Sequence, residues 1–258
     1  AEGFFLVFRG TSSTSDITRD LLVRPTAHGA AQFHGGFLSG VRDDAALHEQ
    51  LRDHLGASSL PLYLIGHSLG GSLALTLLAA DILPPSYRGA VTCVALGSPA
   101  ILYGDPPAGS LGRAEMARVL LFINSADVVP RLLGSPLPIM ASTFMAHSAS
   151  RGTGASQLLP TLEKYTHLPQ TEIILLKGGG AMAVPRDEWS SVLHLHEAFS
   201  LNFIEDHKGK MYIDTLQQAL HPASVPIGQA VGSLPIDSGA DVAVPMGSPM
   251  GSPMGSQP

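Results

Sequence analysis

Leu60-Pro61-Leu62-Tyr63-Leu64-Ile65-Gly66-His67-Ser68-Leu69-Gly70-Gly71 joins an apolar, strand-like run to a small-residue helix start through the pattern G-x-S-x-G. That order of strand, tight turn and helix is what a nucleophile elbow needs. The turn leaves no room for bulky neighbours, so glycines stand two residues either side of Ser68. It lifts the serine above the sheet edge, and the N–H of Leu69 opens the new helix where an oxyanion would form. The bland reading is a Gly-rich turn whose serine merely caps the helix that follows.

Working outward, five apolar, β-rich runs stand out: Phe4–Phe8, Leu60–Ile65, Val91–Leu96, Val119–Ile123 and Glu172–Leu176. Most are apolar throughout rather than alternating, as expected of strands covered on both faces of a parallel sheet. Helical spacing separates several of them. Asp43–Leu55 places Ala46, Leu47, Leu51 and Leu55 on one stripe, and Gly71–Leu83 places Leu73, Leu77, Leu78 and Ile82 likewise before Pro84-Pro85. Tyr212–Leu220 repeats the pattern, and a helix is expected from Asp187 to about Ile204. This alternation predicts a doubly wound α/β sheet. Ser135–Pro169 resists assignment, and Gly178–Pro185 reads as a Gly/Ala loop. From Pro222 the composition shifts to Pro, Gly, Ser, Ala and Val and ends in Met-Gly-Ser-Pro repeats, so 1–223 reads as one domain and 224–258 as a disordered tail.

Composition narrows the function classes. Of 258 residues, 45% are apolar, enough for one large core, and only 14% are charged. A net charge of −6 argues against nucleic acid and against a basic lipid-docking surface, while leaving an apolar interface contact open. The single cysteine, Cys93, excludes an intramolecular disulfide within these residues and reads as a core thiol. That favours an intracellular or organellar setting over a secreted one. The longest apolar region, Leu62–Leu83, is broken by the elbow glycines, so no transmembrane segment is expected. The start at Ala1, already close to a strand, reads as an internal cut rather than a signal peptide.

A serine hydroxyl needs a base, and the base needs an orienting carboxylate. In the α/β-hydrolase arrangement the chain order is Ser, Asp or Glu, then His, each on a loop after a strand. Downstream of Ser68, Asp127 lies just past an apolar run, in Asn124-Ser125-Ala126-Asp127-Val128-Val129-Pro130-Arg131. Asp81 is too close to the elbow, Asp105 sits in a Gly-Asp-Pro-Pro turn, and Asp187 suits a helix start. For the base, His147, His167, His194, His196, His207 and His221 remain of 11 histidines. His207 stands past the last strand in a polar, Gly-containing turn before the final helix, which suits a catalytic imidazole. His194 and His196 are two apart and share no helix face, so no metal site is assigned. Gly10-Thr11-Ser12 after the first run is either an ordinary turn or the source of the second oxyanion donor, the Thr11 N–H.

These pieces resemble the fungal-type (class-three) triacylglycerol lipases and their plant and algal intracellular relatives. The resemblance rests on Val7-Phe8-Arg9-Gly10-Thr11, His34-Gly35-Gly36-Phe37, Gly66-His67-Ser68-Leu69-Gly70-Gly71, Leu96-Gly97-Ser98-Pro99, Asp127-Val128-Val129-Pro130-Arg131 and Asp206-His207 followed by Tyr212. It covers about Phe4–Leu220 and implies an α/β-hydrolase fold lacking the family's first strands and N-terminal helix. It further implies hydrolysis of acylglycerols or polar glycerolipids at a membrane or droplet interface, without cofactor. By the same likeness Ser68 is the nucleophile, His207 the base, Asp127 its orienter, and Thr11 and Leu69 the oxyanion hole. The family's lid region corresponds to Ser12–Ala31, where Ile17, Leu21, Leu22 and Val23 are either lid contacts or core. Phospholipases, galactolipases and small-ester esterases share these motifs, and a non-catalytic lipase-like interaction module would keep the fold alone. Acyl selectivity and oligomeric state are not readable from the sequence.

Overall fold

The computed structural model describes residues 2–10, 24–124, 127–134, 162–193 and 206–220. Thr11, the proposed lid residues Ile17 to Val23, His147, His194, His196, His221 and the tail 224–258 lie outside the described residues.

All five expected strands form, each within two or three residues of its apolar run: β1 (Phe4–Phe8), then, after two short strands, β4 (Leu62–His67), β5 (Val91–Leu96), β7 (Arg118–Asn124) and β9 (Thr171–Lys177). They pair in parallel in that order, with Phe4 opposite Leu62, Leu62 opposite Val91, Val119 opposite Thr171. Parallel pairing places every C-terminal strand end on one edge, where loops carrying chemistry collect. The central strands bury every second side chain fully and half-cover the rest, as an interior sheet requires. Cys93 is fully buried in β5, and burial drives its thiol pKa far above the ordinary range, so it stays an inert core thiol.

Gly178–Pro185 departs from the loop expectation. It carries β10 (Gly180–Val184), which closes the sheet antiparallel to β9, with Gly180 opposite Lys177. Four of its five residues are exposed, so it sends no apolar signal of the kind that marks the other strands. A second, antiparallel sheet was likewise silent in the sequence. It orders β2 (Pro25–His28), β3 (Ala31–His34), β6 (Leu102–Tyr103) and β8 (Tyr165–Thr166). The residues from Pro25 to Ala31, read as part of a lid region, are therefore the first half of a hairpin, tied down where His28 Nε2 meets the Ala80 carbonyl at 3.0 Å.

Between β3 and β4 run α1 (Gly35–Arg42) and α2 (Ala45–Leu55). The second is the helix expected from Asp43, and Asp44 caps it by accepting the Leu47 N–H at 3.0 Å. α3 (Leu69–Ala79) follows β4 directly and packs on α1, β4, β5 and β1. Ala74, Leu75, Leu77 and Leu78 are all but fully buried, each leucine contributing about 2 kcal/mol by leaving water. A helix buried on so many sides is apolar nearly all round. The expected helix from Asp187 opens as a single 3₁₀ turn and α4 (Trp189–Leu193), beyond which it leaves the described residues. α5 (Gly209–Leu220) packs on β7, β9 and β10. Among the described residues no helix is long and apolar enough to cross a membrane.

Candidate active site

The elbow is tight for a steric reason visible in its glycines. A Cβ on Gly66 would stand 2.3 Å from the Gly70 carbonyl, and one on Gly70 would stand 2.3 Å from the Phe8 carbonyl oxygen of β1. No side chain fits there, so the turn passes directly from β4 into α3. The serine between them takes φ 57° and ψ −128°, a backbone region that L-residues rarely occupy. Its N–H extends the β4–β5 ladder by donating to the Leu96 carbonyl at 2.9 Å. Its hydroxyl makes no capping bond to α3, which removes the bland reading of the motif.

The hydroxyl instead meets an imidazole. Ser68 Oγ and His207 Nε2 lie 2.8 Å apart, although 139 positions separate them. On the far side of the ring, Nδ1 lies 2.9 Å from Asp127 Oδ2 and 3.0 Å from Oδ1. A carboxylate only accepts, so Nδ1 carries the proton and Nε2 is left bare to accept from the serine. All three groups are buried: Ser68 and Asp127 completely, His207 to 5% exposure. Of the histidines weighed downstream, His167 is also described, and it lies elsewhere, with Nε2 3.2 Å from the Pro130 carbonyl.

Asp127 is held from several directions. Its Oδ1 accepts the Val129 N–H at 2.8 Å, an Asx turn that fixes the side chain against its own backbone. Its Oδ2 accepts the Tyr212 hydroxyl of α5 at 2.5 Å. Burial first, and then the carboxylate beside it, raises the Tyr212 pKa well above its ordinary value, so this phenol remains a donor. Arg131 donates from Nη1 to the Asp127 carbonyl and from Nε to the Val192 carbonyl at 2.8 Å, stitching the acid loop to α4. Gly97, at φ 57°, makes the space for this cluster, since a Cβ there would stand 2.5 Å from Asp127 Oδ2 and 2.7 Å from the Tyr212 hydroxyl.

The segment bearing His207 is clamped as well. Asn124 Nδ2 donates to the Asp206 carbonyl at 3.1 Å, and His67 Nε2 lies 2.6 Å from the His207 carbonyl. Sequence reasoning had no signal for the roles of Asn124, His67, Arg131 or Gly97, because each acts on a residue brought near only by the fold. On the oxyanion side, Leu69 is the first residue of α3, so no carbonyl of the helix lies one turn before its N–H to accept from it. Gly10 packs against the elbow, its missing Cβ 2.6 Å from the His67 carbonyl oxygen and 3.5 Å from Ser68 Cβ. Thr11 follows outside the described residues.

The family model for class 3 lipases matches residues 5–136. A search of curated protein sequences returned no match. Among solved structures, the chain is similar to the lipase of Rhizopus microsporus var. chinensis, with 24% identity over 50% of this chain and 46% of that one and a TM-score of 0.38. It is also similar to the native Rhizomucor miehei lipase propeptide complex, at 21% identity, 80% of this chain, 58% of that one and a TM-score of 0.48. Lip2 lipase from Yarrowia lipolytica matches at 16% identity, 79% of this chain, 69% of that one and a TM-score of 0.46. The chain therefore spans about half the length of the first two proteins it matches. The family match runs from β1 through the elbow to the acid loop, half of the 258 residues, and on that ground the chain belongs to the class 3 lipase family.

Proposed function

We propose that this chain is a serine carboxylic-ester hydrolase that acts on acylglycerols or polar glycerolipids. The observation that carries the reading is the continuous hydrogen-bonded line from Ser68 Oγ through His207 to Asp127, at 2.8 Å and 2.9 Å. In this mechanism Ser68 Oγ attacks the ester carbonyl carbon while its proton passes to His207 Nε2. Asp127 stabilises the resulting imidazolium and keeps the ring in the tautomer that accepts at Nε2. The tetrahedral oxyanion is received by the N–H groups of Leu69 and Thr11; one such donor is typically worth about 3 kcal/mol of transition-state stabilisation. His207 returns the proton to the departing glyceride oxygen, leaving an acyl-serine. Water, deprotonated by His207, then attacks the acyl carbonyl, and the fatty acid leaves as the serine is restored. No step needs a cofactor.

Ser68 is fully buried among its triad partners. A lipase, unlike a small-ester esterase, is expected to show a rate jump once substrate exceeds its solubility limit. The test is fluorophosphonate labelling followed by release assays over triacylglycerol, phospholipid and galactolipid. Labelling of wild type but not of Ser68→Ala, with activity lost by orders of magnitude in the variant, is the expected result. Equal turnover by Ser68→Ala and wild type overturns the hydrolase reading in favour of an interaction module.

A further inference from the structure

We propose that His67, the residue between Gly66 and the serine, is a positioning residue that sets the distance between nucleophile and base. The inference rests on the hydrolase reading above and deepens it. His67 Nε2 lies 2.6 Å from the His207 carbonyl oxygen. A carbonyl only accepts, so Nε2 carries the proton and the ring is a donor. The two imidazoles face each other with centroids 4.8 Å apart, tilted by 32°, and the His67 ring lies 5.6 Å from that of Tyr212. Burial, with the neighbouring His207, lowers the His67 pKa, which keeps the ring neutral and single-protonated.

The consequence is geometric. The peptide that carries Ser68 also carries His67, so one rigid turn holds the nucleophile with its main chain and the base with a side chain. Two strands over from β4, at the end of β7, Asn124 Nδ2 donates to the preceding carbonyl, that of Asp206, at 3.1 Å. Two adjacent carbonyls are thus pinned from the C-terminal ends of β4 and β7. The backbone on which the His207 ring swings is fixed relative to the elbow before any substrate arrives. A misplacement of about 1 Å in a reacting group typically costs on the order of 100-fold in rate.

The donor role and a mere packing role make opposite demands at position 67. Packing is satisfied by His67→Phe, which keeps a ring and loses the donor. Positioning is satisfied by His67→Gln, which loses the ring and keeps an N–H that reaches the carbonyl. The experiment measures fluorophosphonate labelling rate, kcat and KM on a soluble p-nitrophenyl ester, thermal midpoint, and the ring-nitrogen NMR of His207 in both variants. The expected result is a roughly 10- to 100-fold fall in kcat and in labelling rate for His67→Phe, with KM within about twofold of wild type. The same variant is expected to lose the far-downfield His207 Nδ1 proton, while His67→Gln recovers most of both signals. Wild-type labelling and an unshifted downfield proton in His67→Phe overturn the assignment. The NMR arm reads the His207 geometry whatever the activity, so a wild-type chain that takes no label overturns the hydrolase reading and leaves the positioning role to be decided by that proton.

Discussion

The Tyr212 hydroxyl donates to Asp127 Oδ2 at 2.5 Å, and its own oxygen accepts the Asn124 N–H at 3.0 Å. One phenol therefore joins the last helix, the acid loop and the end of β7. Tyr212→Phe deletes the donor to a buried carboxylate and leaves the Asn124 amide without its acceptor. The expected loss is about 1–3 kcal/mol in urea unfolding, with kcat down about tenfold from a looser Asp127. Because burial and the carboxylate keep the phenol protonated, wild-type activity should show no alkaline limb arising from Tyr212.

Gly97→Ala strikes the same cluster from the other side. The new methyl would enter at 2.5 Å from Asp127 Oδ2, at a residue whose φ is 57°. Strain and displacement together predict a destabilisation of about 1–3 kcal/mol. Activity per folded molecule should fall as well, because the methyl occupies the place of the acid. Thermal unfolding paired with active-site titration separates the two effects; a variant with native kcat shows that the acid has room to move.

Ser68→Gly and Ser68→Ala should part company in stability although both lose the nucleophile. The native φ of 57° suits glycine and strains alanine as it strains serine. Ser68→Gly is expected to unfold about 1 kcal/mol later than Ser68→Ala, some 2–4 °C in thermal midpoint. Identical midpoints would mean that the elbow stores no strain at this residue.

His167 makes stability depend on pH. Burial lowers its pKa to about 4, against the pull of the Pro130 carbonyl, which it meets at 3.2 Å. In the unfolded chain it titrates near the ordinary value of about 6.5. Between those values the unfolded state binds a proton that the folded state refuses, so stability is full above about 6.5 and falls as pH drops towards 4. The loss amounts to about 3 kcal/mol, and His67, also lowered, acts in the same sense. Urea unfolding at pH 7 and pH 4.5 checks this, with a shallower dependence expected in His167→Asn.

How much of this was legible before folding depended on whether the signal was local. The elbow declares itself because its glycines, serine and flanking strand are consecutive residues. β5 and β7 were readable because strands buried on both sides must be apolar. β10 was not, since an edge strand with four exposed residues carries no apolar requirement. Nor were β6 and β8, two residues each, which pair only because other elements deliver them. α1 was hidden by Gly35, Gly36 and Gly40, poor helix formers whose segment is stabilised by burying Phe37, Leu38 and Val41. For the site, chain order pointed to Asp127 and His207, and the structure brings both to Ser68. The side chains that hold them, Asn124, His67 and Arg131, grip backbone carbonyls, and a carbonyl leaves no trace in the identity of the residue that owns it.

The Ser68–His207 contact also fixes when this site comes into being. A nascent polypeptide that has emerged from the ribosome as far as Arg131 holds the elbow serine and the acid, but not yet the imidazole at position 207. The hydrogen-bonded line closes only when α5 docks and the residue just ahead of it, His207, meets Ser68 and Asp127. The order of synthesis thus makes the imidazole the last member of the trio to be delivered.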